Sequence, residues 1–404
     1  MGRTVTLILV DETGALLGAL PPFDVSVPWW QDVAELVTGA RARDGIDIQV
    51  LRLLHGVAAD GRSAGGTVTY LAQLCGPSGV GLSPVEVDLS AQPHRAAYAE
   101  PGGPAESTGW AIAALEALGS PGAVAVQQRT WNLSAIWRLD TGGTPVAWLK
   151  QTPRFLSHEP AVLGLVSGVA PGLVPPLLAA GEQGRALLAH VPGKDGYGAD
   201  AEVCAEIAAE FHPVQLHFAG RVDELLATGM PDRRLAVEPF AAAAEPFLDE
   251  IVGLPGLLEG LPQRLAEVAA CGLPDTLVHG DLHPGNTRVG SGSPVLMDWA
   301  DASVSHPAFD ILRLTEWLPR AEADDLIAAW ALRWRTAAPG SDPARAVELM
   351  RPVAALLGAV LYTEFLANIE QSEHPYHRSD VPASLTKAVE EALPRATPAE
   401  EALP

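Results

Sequence analysis

Residues 277–303 read LVHGDLHPGNTRVGSGSPVLMDWADAS. This Gly- and Pro-broken stretch carries His279, Asp281, His283, Asn286, Asp298 and Asp301, so it reads as a metal site, a phosphate site or a polar loop under a core. His279, Asp281 and His283 alternate as they would on one face of a strand and could reach one zinc ion. Against that, Pro284-Gly285 breaks the strand at once, and no further His or Cys cluster in the sequence offers a fourth ligand. Taken singly, Asp281 and Asn286 read as turn caps. Taken together with Asp298 they read as chemistry. A closely spaced Asp and Asn can curl around one loop, the Asp facing a substrate hydroxyl and the Asn carbonyl facing a cation. TRV, the GSGSP turn and VLM then form a hairpin whose exit returns Asp298 beside Asn286. Two hard oxygen ligands beside a third carboxylate suit Mg²⁺, which takes one or two carboxylates and completes its shell with water and phosphate oxygens.

HGDLHPGN followed by LMDW resembles the catalytic loop and metal-binding turn of the aminoglycoside phosphotransferase and choline-kinase-like family, over about residues 120–385. The resemblance implies an α+β, bilobal protein-kinase-like fold, with a small β-rich N-lobe over 106–198 and a helical C-lobe over 199–390. It implies a kinase that moves the gamma-phosphate of ATP or GTP to a hydroxyl of an amino sugar, aminoglycoside or similar small molecule. In that reading Asp281 orients the acceptor hydroxyl and takes its proton late, while Asn286 and Asp298 hold Mg²⁺.

Phosphoryl transfer also needs a cation on the nucleotide phosphates and a carboxylate to hold that cation. Lysine occurs three times in the chain, and Lys150 lies in the apolar strand VAWLK, where a merely solubilising charge is unusual. Glu159 opens the helix EPAVLGLVSG shortly after, with Glu182 a weaker substitute. Lys150 and Glu159 therefore resemble the strand lysine and helix glutamate of the same family. The turn QRTWNLSAIW stands where protein kinases carry a Gly-rich phosphate cover. It has no glycine, and its backbone from Asn132 to Ser134 is expected at phosphate. RALLAHVPG occupies the hinge position, where the backbone of Leu188, His190 and Val191 is expected to read the nucleobase, leaving ATP against GTP open. Asp310 in SHPAFDI reads as a helix N-terminal carboxylate that anchors the site loops. His279 reads as a backbone partner, His283 as loop surface or a phosphate neighbour, and Trp299 as core.

At roughly 100–200 residues per domain, 404 residues suggest two or three domains. With 48% apolar and 19% charged residues the chain can bury a real core, which excludes wholesale disorder. Acidic residues number 49 against 26 basic, a net charge of −23, so nucleic acid is not an expected partner. That balance admits cationic ligands, and a solvated acidic surface explains it as well. Cys75, Cys204 and Cys271 are far apart and odd in number, which gives no disulfide framework and a cytoplasmic expectation. No window approaches the roughly 18 uninterrupted apolar residues of a membrane helix, so no membrane partner is expected.

Residues 1–105 read as a small α/β domain. TVTLILV turns at DETG and returns as ALLGAL, a helix follows with Val33, Leu36, Val37 and Ala40 at helical spacing, and IDIQVLRLL and GTVTYLAQL are strands. The Gly-, Pro- and Ser-rich stretch 76–108 marks a boundary near residue 105. This block resembles, more faintly, a Nudix fold. The expected metal-binding glutamates are replaced by ELVTGARARDG, leaving Glu35 and Asp44, so it reads as degenerate: a structural cap, a homodimerisation module or a sensor. From residue 199 the pattern turns helical, and Pro213 is expected to end or kink the helix AEVCAEIAAEF. Residues 391–404, which repeat EEALP, read as a flexible tail.

The acceptor is expected between the helices of 200–275 and those after 310. Asp223, Glu224, Glu364, Glu370, Glu373 and Asp380 would suit a cationic acceptor there, and a solvated acidic face accounts for them too. Two functional classes stay open: an active small-molecule kinase, or a nucleotide-binding regulatory protein whose catalysis has lapsed or whose acceptor is a macromolecule. The presence of Asp281 favours the enzyme.

Overall fold

The computed structural model describes residues 2–59, 64–77, 79–290 and 292–393. Most of the tail expected over 391–404 lies outside the described residues. The chain divides into two compact units, Met1–Pro192 with Phe365–Ser379, and Gly193–Glu364 with Asp380–Pro404.

The first unit holds two five-stranded sheets. In one, β1 (Arg3–Val10) pairs antiparallel with β2 (Leu16–Ala19) and β3 (Phe23–Val25), and parallel with β5 (Gly66–Leu74), beside which β4 (Ile48–Val57) runs antiparallel. Asp11 fixes the β1–β2 turn by accepting from the backbone N–H groups of Thr13 and Ala15. The helix α1 (Ala34–Asp44) buries Leu36 and Ala40 with Val5, Leu7, Trp30 and Tyr70 on one face of the sheet. Ile8, Val10, Leu51 and Leu71 form a separate cluster, as strand alternation requires.

The second sheet of this unit is antiparallel throughout, in the order β6 (Val124–Trp131), β7 (Ser134–Thr141), β8 (Thr144–Gln151), β10 (Arg185–Ala189), β9 (Leu177–Gly181). Trp137, Leu139, Ala147, Leu149 and Leu187 are buried in one cluster with Ala111 and Leu115 of α2 (Gly103–Ala117), and α3 (Glu159–Val169) follows β8. The sequence reading has no counterpart for β9, whose LLAAG is short and lacks β-branched residues. Positions on both sides of residue 105 share this unit. The Gln127 side chain bonds both the N–H and the C=O of Val50, and Arg52 donates to the Ala99 carbonyl. The short 3-10 helix Gln371–Tyr376 belongs here too, with Tyr376 in the first sheet's core, edge-on to Trp30 and Trp131.

The second unit is helical. It comprises β11 (Lys194–Asp195), α4 (Ala201–Phe218), α5 (Val222–Leu226), α6 (Val237–Ala244), α7 (Leu254–Ala270), β12 (Thr276–Val278), β13 (Thr287–Val289), β14 (Val295–Leu296), β15 (Ser303–Ser305), α8 (Ala308–Leu314), α9 (Arg320–Ala337), most of α10 (Pro343–Asn368) and α11 (Asp380–Ala392). Pro213 does not end α4. Phe211, Val214 and Phe218 stay buried across it, so packing outweighs the missing backbone bond. Among the described residues α10 alone is long and apolar enough to cross a membrane by length and composition. Val347, Met350, Val353, Leu356 and Ala359 are fully buried, as in a core helix.

Candidate active site

In the second unit, β12 enters as an apolar strand and ends at a turn that only glycine permits. Gly280 has φ +86, and a Cβ there would come 2.1 Å from the Asp301 carbonyl oxygen. The turn is anchored from α8. Asp310 Oδ2 accepts from the His279 N–H at 3.0 Å and from Gln215 Nε2 at 3.1 Å, and Oδ1 accepts from the Gly280 N–H at 3.2 Å. Burial pushes the Asp310 carboxyl up to about 7, with these donors pulling the other way. His279 is fully buried, and its Nε2 lies 3.0 Å from the Met297 carbonyl. Burial holds its pKa down at about 4, so it serves as a neutral backbone partner.

The loop then presents Asp281. Its Oδ1 accepts from Arg313 Nε at 2.8 Å and its Oδ2 from Asn286 Nδ2 at 2.9 Å, with His283 Nε2 at 3.4 Å. His283 Nδ1 accepts from the Gly285 N–H, capping the 3-10 turn Pro284–Asn286. The imidazole therefore carries its proton on Nε2, facing Asp281. Burial alone would raise the Asp281 carboxyl, but the His283 hydrogen bond and the Arg313 charge hold it well below the usual carboxylate range.

The hairpin of β13 and β14 returns the chain to Asn286: Thr287 pairs with Leu296, and the Met297 N–H donates to the Asn286 carbonyl at 2.8 Å. Asp298 follows in the left-handed region at φ +62, exposed, a conformation that Asp tolerates better than most side chains. A carboxylate cannot accept from a carbonyl, so the Asn286 amide turns its nitrogen to Asp281 and its oxygen away. An Asn oxygen and an Asp carboxylate brought together by one hairpin fit a hard divalent cation such as Mg²⁺. Zinc does not fit the histidines. Both ring nitrogens of His283 are engaged, by Gly285 and Asp281, His279 uses its Nε2 on Met297, and among the described residues no group of three or more His, Cys, Asp or Glu could hold a metal ion.

In the first unit, Lys150 lies on β8, a central strand, and its Nζ is 2.8 Å from each carboxylate oxygen of Glu159 at the start of α3. Leu188 is buried in β10, paired with Trp148. The His190 N–H donates to the Val146 carbonyl and its Nδ1 accepts from Trp148 Nε1. A nucleobase at Leu188, His190 and Val191 would thus use groups other than that amide. Ser134 is 6% exposed and its hydroxyl accepts from Trp131 Nε1, while Asn132 Nδ2 meets His377 Nε2 at 3.0 Å. The Ser134 hydroxyl, an acceptor from Trp131, keeps its own proton to donate, so the side chain as well as the main chain of this turn can meet phosphate.

Two residues at the site escape the sequence reading. His283, expected as loop surface or a phosphate neighbour, is buried against Asp281 and so is not surface, and nothing in the sequence marks Arg313. Arg313 lies three residues after Asp310 on α8, so one helix face anchors both the loop backbone and its carboxylate. The expected acidic lining also needs correction. Glu370 pairs with Arg95 at 2.8 Å, and Glu373 accepts from the Leu53 N–H; both are buried within the first unit. Glu364 accepts from Arg233 Nη2 at 2.6 Å, and Glu224 lies 3.9 Å from Arg221. Charge counting does not reveal such partners.

A sequence model described as the phosphotransferase enzyme family matches residues 137–349, more than half of the chain. No curated protein matches the sequence. Among solved structures, a choline/ethanolamine kinase family protein from Mesorhizobium loti is 14% identical, with a TM-score of 0.51 over 74% of this chain and 96% of that one. A GDP complex of a mutant aminoglycoside 2'-phosphotransferase-IIIa is 14% identical, with a TM-score of 0.50 over 70% of this chain and 97% of that one. The macrolide 2'-phosphotransferase MphH from Brachybacterium faecium is 22% identical over 62% of this chain and 88% of that one, with a TM-score of 0.44. At such identities the first two likenesses speak to fold, the α+β protein-kinase-like one.

Proposed function

We propose, since this chain belongs to the phosphotransferase enzyme family, that it is a Mg²⁺-dependent small-molecule kinase moving the gamma-phosphate of ATP or GTP to an acceptor hydroxyl. The observation that carries this is the Asp281 loop: a carboxylate held by Arg313, Asn286 and His283, with Asp298 in the left-handed conformation at the exit of the adjoining hairpin. Asp281 orients the hydroxyl and takes its proton as the phosphoryl group leaves. A weak base suffices, because the transition state is loose and positioning outweighs proton affinity. Asn286 and Asp298 would hold the metal, which would supply charge neutralisation for the nucleotide phosphates. Lys150, steadied by Glu159, is the cation for the phosphates. The GDP complex named above supports a nucleotide donor.

For residues 1–105 a non-catalytic role is supported by the fate of the two carboxylates a Nudix-like centre would need. Glu35 accepts from the Ser26 hydroxyl and from the N–H groups of Ser26 and Val27, and Asp44 lies 3.3 Å from Arg43.

Calorimetry of nucleotide binding with and without Mg²⁺ tests the metal assignment. Mg²⁺ should tighten binding in wild type and do so weakly in Asn286→Ala and Asp298→Ala. Equal Mg²⁺ enhancement in all three proteins would contradict it.

A further inference from the structure

The groups around Asp281 also bear on what it phosphorylates. Beyond the carboxylate, Arg313 Nη1 pairs with Glu316, and Glu316 takes Lys387 from α11. Asp281 and Glu316 are thus each matched by a cation, in a chain where acidic residues outnumber basic ones 49 to 26. The Arg313 guanidinium carbon lies 4.5 Å from the Trp317 ring centroid, and His283 meets the same ring edge-on at 5.4 Å. Both of those neighbours contact Asp281, so the indole stands one side chain from the base by two routes. Trp317 is nevertheless 62% exposed. Exposure alone does not single it out, since Tyr197 and Trp29 are open too; its contact with both neighbours of the base does, and a ring seated on it would gain the burial it now forgoes.

We propose, resting on the phosphotransferase reading, that Trp317 is the platform of the acceptor subsite and that the acceptor is an uncharged sugar-like ring. The C–H face of such a ring packs on the open indole and turns a hydroxyl toward Asp281. A polyamine sugar is disfavoured. Arg313 already lies over the Trp317 ring, so a second cation brought to that ring meets its charge. In the transfer, the acceptor oxygen bonds to the gamma-phosphorus as the bond to the bridging oxygen breaks. The nucleoside diphosphate departs with that electron pair, and the hydroxyl proton passes to Asp281 and on to solvent.

The test uses the full chain with Mg²⁺ and nucleotide. Methyl glycosides of neutral hexoses and pentoses and a polyamino aminoglycoside are titrated by calorimetry, with nucleoside diphosphate release followed in parallel, in wild type, W317A and W317F. A neutral glycoside should bind, with affinity about tenfold weaker in W317A and largely kept in W317F. Preference for the aminoglycoside, binding of no neutral glycoside, or equal affinity in W317A would each overturn the proposal. Trp317-dependent binding without phosphate transfer would uphold the platform and overturn the phosphotransferase reading instead.

Discussion

Arg313 Nε donates to Asp281 Oδ1 at 2.8 Å, so the proposed base is held by a guanidinium from α8 and not by its own loop alone. The remaining oxygen is held by Asn286 and faced by His283. Arg313→Met should therefore lower transfer by roughly tenfold to a hundredfold through misplacement of the carboxylate, with acceptor KM changing less than kcat. Arg313→Lys should recover only part, because an ammonium lacks the planar fork. Steady-state kinetics of the two variants check this; an unchanged kcat in Arg313→Met counts against the positioning role.

Lys150 and Glu159 form an ion pair whose side chains are 8% and 2% exposed. Removing one partner leaves a buried charge uncompensated, so Lys150→Met should destabilise the protein by about 3–5 kcal/mol. The double variant Lys150→Met with Glu159→Leu should regain most of that stability and none of the activity. Chemical denaturation and turnover, measured on the same preparations, separate the two effects.

Burial, with the neighbouring Glu370 charge, pushes the Glu373 carboxyl from 4.5 up to about 8. Between those values the folded state binds more protons than the unfolded state, so stability falls as pH rises through that window. Thermal midpoints followed across it should decline in wild type and decline less in Glu373→Gln. Parallel pH curves for the two proteins would show that Glu373 titrates normally.

Glu35 and Asp44 are the carboxylates that a hydrolytic reading of residues 1–105 would need. Since Glu35 is absorbed by Ser26 and Val27, replacing both by Ala should leave nucleotide turnover unchanged. A drop in turnover at constant stability would restore chemistry to that domain.

The triad Asp281, Asn286 and Asp298 is legible in sequence because its geometry is local: one loop and one short hairpin fix all three. Lys150 and Glu159 are legible because an apolar strand has little other use for a lysine. His283 and Arg313 are not. The role of His283 depends on the Gly285 N–H occupying Nδ1, which only the folded turn reveals. Arg313 needs α8 to be placed against the loop before its spacing from Asp310 means anything. Glu370 and Glu373 misled for the opposite reason, since their sequence neighbourhood is helical and polar while their partners Arg95 and Leu53 are far away in the chain.

The most direct measurement is phosphate on the acceptor itself. Wild type and Asp281→Asn are incubated with nucleoside triphosphate, Mg²⁺ and a panel of neutral glycosides, amino sugars and amino alcohols, and products are read by mass spectrometry. One phosphorylated acceptor should form per nucleoside diphosphate released, with the rate in Asp281→Asn lower by at least about a hundredfold and nucleotide affinity retained. Nucleotide binding with no acceptor phosphorylated, or equal transfer in Asp281→Asn, would contradict the assignment of Asp281 as the base of a small-molecule kinase.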